Sequence, residues 1–536
     1  MAKQVLFERE GESRIQEGMN TLADCVRITL GPTGKNIIYE QEFGDAPSSS
    51  GDSSAIADEV ELENPFENMG AKLLNEVAEN IDDDVGDGVA TGVVLAEAIY
   101  KEGLKHVVAD ANPMKLRRGV RKSAEAAIES IRDQRSDIDL DSNELEQVAT
   151  VAADGDEDIG EIVATAVREV GAEGIVSVEE GTAVRTYNEF VDGLNFEEGY
   201  LSPYFCTDRE KKIAELDDAY VLIYEGELDQ VQPLINLLEQ VAQQGKPLLI
   251  IAEDVEGDAL SALVLNRLRG TLKSCAVEAP AFGNRRTAIL EDIAVLTGGQ
   301  VISEEKGIDL ENASIEHLGQ VDTVRVDEDE TVLTGGKGDQ EAQEKRIKQI
   351  KNKIDNTDSD YDREKLESRL AKMKGGVARI YAGGTSESEI AEKQDVIESS
   401  VASCQRALQE GVVAGGGTAF VNARNAVDSL DLDGGEALGK NVVKQALEVP
   451  LRQISENAGV AGSVAVDEVA EGEEGHGLNA ENGELEDLEE AGILDAATVL
   501  ETALEQAASL SGTLLTANSF LADLDEQEEA IEHSMS

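Results

Sequence analysis

Apolar residues recur along most of the chain at spacings that bury one side of a helix or strand. Ile15, Met19, Leu22, Ala23 and Val26 share one face, because residues three and four apart lie on the same side of a helix. Gly31-Pro32 ends this helix, since proline has no amide donor and restricts the residue before it. A short β-like stretch, Asn36–Tyr39, is followed by the serine-rich loop Asp45–Ser54, whose composition is that of a flexible connector. Phe66–Ile81 predicts a helix with Met69, Leu73, Val77 and Ile81 in register, and Thr91–His106 another that carries Val94, Leu95, Ala98 and Ile99. Asn112-Pro113 caps a further helix that runs to Ile131, with Asn at the cap and Pro in the first turn.

The pattern then changes. Gly174–Val178 and Pro247–Ala252 are short apolar runs, and the second leads through Glu253–Gly257 into a helix that ends near Gly270. Strands alternating with helices at this spacing predict an α/β domain with a buried sheet. Lys345–Lys374 mixes both charge signs and reads as solvated helices, whereas Val377–Ala382 is a strand bracketed by Gly375-Gly376 and Gly383-Gly384. From Glu387 the chain is helical again, interrupted at Gly415–Gly417, and its acidic end, Asp523–Glu532, reads as a frayed terminus. No internal repeat has a solenoid period.

Charge narrows the functional classes. The 536 residues include 111 Asp and Glu against 46 Lys and Arg, a net charge of −65. Such a surface repels phosphate backbones and anionic lipid, which excludes sequence-independent nucleic-acid and membrane-surface binding. With 41% hydrophobic residues the chain still has enough apolar material to fold. The acid surplus fits a salt-rich cytosol, because near molar salt the screening length falls to about 3 Å; a halophilic source is the expectation. Cys25, Cys206, Cys275 and Cys404 have neither zinc nor disulfide spacing. The four histidines are scattered, and His317 reads as a surface residue. No apolar signal core follows Met1 and no apolar run is long enough to cross a bilayer, so a soluble, untargeted cytoplasmic protein is expected.

Three features could carry chemistry. Gly86-Asp87-Gly88 joins two predicted helices: it is either an acidic turn or a loop whose glycines let a phosphate approach the amides of the second helix. Asp87 could then hold Mg²⁺, which takes one or two carboxylates together with phosphate oxygens and water. Thr29–Pro32 and Gly415–Gly417 are two further glycine-bearing loops. Val231–Leu238 and Ala259–Leu265 are apolar around more of the helix than one buried face requires, so they are either covered on two sides or form an exposed groove for protein partners. A basic patch, Lys115, Arg117, Arg118, Arg121 and Lys122, lacks aromatic interleaving and reads as a subunit contact rather than a nucleic-acid site.

Long colinear stretches resemble the group I chaperonins, the GroEL-type family, over nearly the whole chain. They include Leu22–Pro32, Phe66–Gly70, Gly103-Leu104 through Asn112-Pro-Met114, Glu198–Phe205, Gly245–Gly257, Asp358–Leu366, Glu410–Gly417 and Gly492–Asp495. The resemblance implies a multidomain α and α/β chaperonin fold: a helical equatorial domain (1–134 and 410–536), a small α/β intermediate domain (135–191 and 376–409) and an α/β apical domain (192–375). It also implies a homo-oligomer of two stacked seven-membered rings, unfolded-protein clients, a GroES-type lid, and ATP with Mg²⁺ and K⁺. By the resemblance, Thr29, Leu30, Gly31, Pro32, Asp87, Gly88, Val89, Ala90, Thr91, Gly416, Asn479, Ala480 and Asp495 contact the nucleotide. Asp87 binds Mg²⁺ and Asp52 assists hydrolysis, while Tyr200, Tyr204, Phe205, Ile235, Leu238, Leu260, Val264 and Leu265 contact clients or the lid.

The departures from the family pattern bear on turnover. Gly86-Asp-Gly-Val-Ala-Thr91 replaces two threonine hydroxyls with Val89 and Ala90, and Gly51-Asp52-Ser53 lacks a lysine before the acid. Ser399 aligns with the carboxylate that orients the attacking water, with Asp395 or Glu398 as substitutes. Loss of such a group slows hydrolysis more than binding. Two functions therefore stand side by side, an ATP-driven folding chamber and a nucleotide-binding holdase with little turnover. The Gly-Gly-Met tail common in the family is replaced by acidic residues.

Overall fold

The computed structural model describes residues 3–40, 48–172, 174–181, 183–191, 193–209, 211–303, 306–357, 359–375, 377–473 and 475–523. Part of the serine-rich loop, Gly376, Asp358 and all of the acidic end beyond Asp523 lie outside this set. The chain divides into two compact units: Met1–Arg168, Val178–Tyr187 and Tyr381–Ser536 form one, and Glu169–Ser177 with Asn188–Ile380 the other. The first contains the expected equatorial spans and the second the expected apical span, while the expected intermediate spans are shared between them.

The first unit is built of helices. Glu8–Val26 buries Ile15, Met19, Leu22, Ala23 and Val26 on one side, and a 3₁₀ turn, Arg27–Thr29, ends it before Gly31-Pro32 is reached. Pro65–Val85 begins at Asn64, whose side chain accepts from the amides of Phe66 and Glu67, and it buries Phe66, Leu74, Val77, Ile81 and Val85. Met69 and Leu73 of the expected stripe are only half-buried. A strict four-residue step drifts about 40° per repeat around a 3.6-residue helix, so the true stripe alternates threes and fours. Val89–Val108 starts two residues before the expected Thr91 and is buried over much of its circumference. Pro113–Gln134 uses the Asn112 side chain as its cap, as expected.

Helices in this unit cross at glycines. A Cβ on Gly18 would lie 1.8 Å from the Glu67 carbonyl oxygen, and one on Gly70 2.2 Å from that of Ile15. Likewise a Cβ on Gly119 would lie 2.1 Å from the Glu436 oxygen and one on Gly439 2.4 Å from that of Leu116. Backbone meets backbone at both crossings, so neither can yield by rotating a side chain. Part of the basic patch is used at the second crossing: Lys122 Nζ is 2.7 Å and Arg118 Nε 3.6 Å from Glu436 carboxylate oxygens. Arg117 donates to Thr513 Oγ1 at 3.2 Å. Those cations meet partners within the chain and stay half-exposed or exposed. At the termini, Lys3–Phe7 pairs antiparallel with Ser519–Asp523, so Asp523 is a strand residue rather than frayed.

The second unit is an α/β body around a seven-stranded mixed sheet. Ser274–Glu278, Leu248–Ala252 and Ala214–Tyr224 run parallel, and Gly319–Val326, Thr331–Thr334 and Gly193–Phe196 continue antiparallel. All five residues of Leu248–Ala252 are buried, which is why that run is continuously apolar rather than alternating. The charged segment departs from expectation. Gln340–Asp355 and Asp360–Gly375 are helices, but Ile350 and Met373 are buried, and Ile347, Ile354, Leu366 and Leu370 pack on the core. Arg346 Nε and Arg369 Nη2 donate to the two carboxylate oxygens of Asp292 at 2.6 and 2.7 Å, and Asp292 is 1% exposed. The charges are docked as well as solvated.

The glycine crossings set a stability test. Gly119→Ala should destabilise the chain by about 1–3 kcal/mol or more through overpacking, read as a lower urea midpoint at unchanged m-value. An unchanged midpoint would show that the two helices separate without strain.

Candidate functional site

The site is built around a three-residue loop. Gly86, at φ +69°, ends the helix Pro65–Val85, and Gly88, at φ +81°, caps the helix Val89–Val108. These left-handed conformations favour glycine. Steric contact enforces the same choice: a Cβ on Gly86 would lie 2.6 Å from Ala402 Cβ, and one on Gly88 2.4 Å from Val499 Cγ1. The first intrahelical bond runs from the Gly92 amide to the Gly88 carbonyl. The amides of Val89, Ala90 and Thr91 therefore have no partner within the helix, the usual condition for an anion site.

These residues line a cavity of about 380 Å³ that lies wholly within the first unit. Thr29, Leu30, Gly31, Pro32, Asp52, Asp87, Gly88, Val89, Ala90, Thr91, Ser399, Gly416, Asn479, Ala480 and Asp495 all reach its wall, so segments far apart in sequence converge. Asn457 fixes one wall by donating to the Leu30 and Arg27 carbonyls at 2.8 and 3.0 Å. Leu30 and Ala480 pack in one apolar cluster with Val94 and Ile454. Asp52 caps the short helix Ser53–Asp58, its Oδ1 accepting from the Ala55 amide at 2.6 Å. Asp87 accepts from the Gly88 amide at Oδ1, 2.5 Å away, and from Ser403 Oγ at Oδ2. Of the substitutes considered for Ser399, neither Asp395 nor Glu398 is among the wall residues, and Glu398 instead accepts from Gln394 at 3.0 Å. Ser399 itself does reach the wall, with Asp52, Asp82 and Asp154 among the acids that share it.

Several wall residues were not foreseen. Asp82, Thr150, Asp154, Glu157, Glu481 and Ser403 all line the cavity. Asp-Gly pairs such as Asp154-Gly155 are common in so acidic a chain and carry little signal. Ser403, four residues after Ser399, could have been found from helical spacing.

Electrostatically the cavity is one-sided. Asp52, Asp82, Asp87, Asp154, Glu157, Glu481 and Asp495 give it seven carboxylates, and no lysine, arginine or histidine is among its described lining residues. Burial, then the charge of Asp87, pushes Asp495 up to about 7, against the lowering effect of the Gly416 amide that donates to it. Burial also raises Asp87, opposed by the Ser403 and Gly88 donors, and raises Asp52, opposed by its cap bonds. Asp82 and Asp154 are exposed on one side, while the wall behind each removes water and neighbouring acids add like charge, which raises both carboxyls above their ordinary value. Among the described residues no group of three or more His, Cys, Asp or Glu side chains forms a metal site by itself. A hard cation such as Mg²⁺ fits Asp87 on those terms, since it draws most of its ligands from water and phosphate. Volume, free helix amides and carboxylates together suit a phosphate-bearing ligand that arrives with cations.

The expected client surface lies in the other unit, and its residues are not equivalent. Tyr204, Ile235 and Leu265 are 60%, 40% and 46% exposed, with Leu268 beside them at 54%. Tyr200, Leu238, Leu260 and Val264 are half-buried against the core. Phe205 is 0% exposed and belongs to the core, so its expected direct contact with clients is corrected. The apolar surplus is thus divided: Leu234, Leu237, Ala259 and Leu263 are covered, Leu238, Leu260 and Val264 are half-buried, and Ile235 and Leu265 face out.

A helical unit bearing a glycine-loop cavity and an α/β unit bearing exposed apolar helices define a chaperonin-class architecture. The chain belongs to the TCP-1/cpn60 chaperonin family, whose model matches residues 22–523. That membership gives it a role as a protein-folding chaperone that works with client proteins as a ring oligomer. No helix among the described residues is long and apolar enough to cross a membrane.

The raised acid pKa values set the sign of a pH effect. An acid whose folded pKa lies above its unfolded value near 4 stabilises the fold below that value and loses the contribution as pH rises through the folded pKa. In EDTA at fixed ionic strength, Asp495→Asn should therefore show a smaller fall in melting temperature between pH 5.5 and 8 than the natural chain. Parallel melting curves would contradict the placement of Asp495 in a dehydrated wall.

Proposed function

We propose that this chain is an ATP-dependent chaperonin of the group I, GroEL type, which captures unfolded proteins on its apical unit and releases them into a ring-shaped chamber closed by a GroES-type lid. The observation that carries this reading is the convergence of the free amides of Val89, Ala90 and Thr91, Asp87 and the Gly416, Asn479, Ala480 and Asp495 wall on one cavity. The amides and Asp87 hold the phosphate end, and the Gly416, Asn479, Ala480 and Asp495 wall holds the base and ribose. Magnesium, when bound, neutralises phosphate charge at Asp87, and K⁺ adds further countercharge. Asp52 assists hydrolysis. A double ring of seven-membered rings, three domains per chain, a cytoplasmic location and a halophilic source complete the proposal.

A second reading has its own support. Ser399 stands at the cavity wall and its helix neighbours Asp395 and Glu398 do not, and a serine hydroxyl is a poor general base at neutral pH. On this reading the chain binds nucleotide and holds clients with little hydrolysis.

Steady-state ATPase measurements in molar potassium chloride separate the two. A folding machine gives measurable turnover that Asp87→Ala abolishes and Ser399→Asp raises by about 10²-fold or more. Turnover created only by Ser399→Asp identifies the holdase. Turnover indifferent to Asp87→Ala would refute the site.

The apical surface makes a second prediction. Ile235→Ser and Leu265→Ser should weaken suppression of client aggregation with little change in melting temperature, because both side chains are already exposed. Phe205→Ser should lower the melting temperature instead, as removal of a buried aromatic costs about 3–5 kcal/mol. Added salt should strengthen client capture, and capture that weakens steadily with salt would count against an apolar surface.

A further inference from the structure

Asp87 is bound on both sides. Its Oδ1 accepts from the amide of the next residue, Gly88, at 2.5 Å, and its Oδ2 from Ser403 Oγ. Ser403 comes from a separate element, the helix Glu387–Glu410, and is 2% exposed. A carboxylate on a three-residue loop would otherwise turn about two side-chain torsions. A donor on each oxygen removes that freedom and leaves lone pairs for a cation, since an ionised carboxylate offers about four acceptor sites.

The helix that supplies Ser403 is seated on both of its sides. Towards the loop, Ala402 lies against Gly86, Arg406 Nη2 donates to the Asp84 carbonyl at 2.6 Å, and Glu392 Oε1 accepts from Asn36 at 2.6 Å. On its other side Ser400 Oγ donates to the Ala149 carbonyl at 2.8 Å and Cys404 Sγ to that of Leu145 at 3.5 Å. Ser399 and Ser403 are one turn apart and both reach the cavity wall. The helical register that brings Ser403 to Asp87 therefore also brings Ser399 over the cavity.

We propose that Ser403 is a positioning residue: its hydroxyl fixes the Asp87 carboxylate in the cavity and fastens the Glu387–Glu410 helix to the phosphate loop. The inference rests on the nucleotide-site reading given above. Ser403 acts through Asp87, so it governs the cation-dependent part of nucleotide binding and leaves the cation-independent part alone.

Calorimetric titration of the assembled full-length protein tests this, with ADP in EDTA and ADP with excess Mg²⁺. Ser403→Ala removes one oxygen from a helix interior where alanine is the best helix former, so the variant should fold, as its circular dichroism and melting temperature would confirm. ADP affinity in EDTA should stay within about twofold of the natural chain, while Mg²⁺·ADP affinity should fall about tenfold, the usual scale for a hydrogen bond to a charged group. In an Asp87→Ala background the same substitution should change neither affinity. Equal Mg²⁺·ADP affinities for Ser403→Ala and the natural chain would overturn the proposal. So would an equal loss with and without metal, or an effect that persists without Asp87. Failure of the natural chain to bind ADP under either condition would instead overturn the nucleotide reading, and this inference with it.

Discussion

An anion is held only where its charge is answered, and the proposed nucleotide site depends on backbone amides to do so, since the described charged side chains of the cavity are all acids. A helix N-terminus supplies the equivalent of about half a positive charge from its unpaired amides, here those of Val89, Ala90 and Thr91. Around them stand seven carboxylates and no described cationic side chain. Such a wall favours an anionic ligand that brings its own cations, because its described charged side chains are all acids. Val89 and Ala90 carry no hydroxyl, so at these two positions only the amides can donate.

That arrangement needs a rigid frame. The amides act as a site only if the helix Val89–Val108 starts at one fixed point, and Gly86 and Gly88 fix it by turning the chain within three residues. The helix is then buried over most of its surface, with Val93, Val94, Leu95, Ala96 and Ile99 at or near zero exposure. The glycine crossings at Gly18 with Gly70 and at Gly119 with Gly439 bring neighbouring helices into backbone contact, which limits how far the frame can shift. The client surface obeys another rule. Its exposed residues, Tyr204, Ile235 and Leu265, sit on elements anchored by Phe205, Leu237 and Leu263 beneath, so the surface stays apolar without losing its support.

Much of this was legible in the sequence, and the parts that were not share a cause. Helix faces such as Ile15 to Val26 and the buried strand Leu248–Ala252 follow from local periodicity, and the Asn112 cap from local chemistry. Ordered motif resemblance picks out Thr29–Pro32, Asp87–Thr91, Gly416, Asn479, Ala480 and Asp495, and the structure gathers them into one cavity. What local pattern could not give was partnership across the chain. Asp292 is hidden because Arg346 and Arg369, 54 and 77 residues later, answer its charge, and the alternating charges of those later helices had indicated only solvent. Phe205 stands next to exposed Tyr204, and only the sheet beneath decides which of the two is core. Ser403 and Asp154 likewise become wall residues only when distant elements close on the loop.

The acid surplus acts differently on the surface and in the cavity, and that difference connects composition to function. At about molar salt the screening length is near 3 Å, so mobile ions relieve repulsion among exposed carboxylates without occupying particular positions. Carboxylates in a partly dehydrated wall are screened much less, and Asp495, held up to about 7, can shed its burden only by taking a proton or by facing a cation in the site. Near-molar salt would therefore relieve the surface, whereas the cavity would still call for ions bound in place. If the nucleotide is what brings them, its arrival changes the charge state of the wall as well as filling it. The structural consequence falls first on Asp87 and, through Ser403, on the helix Glu387–Glu410.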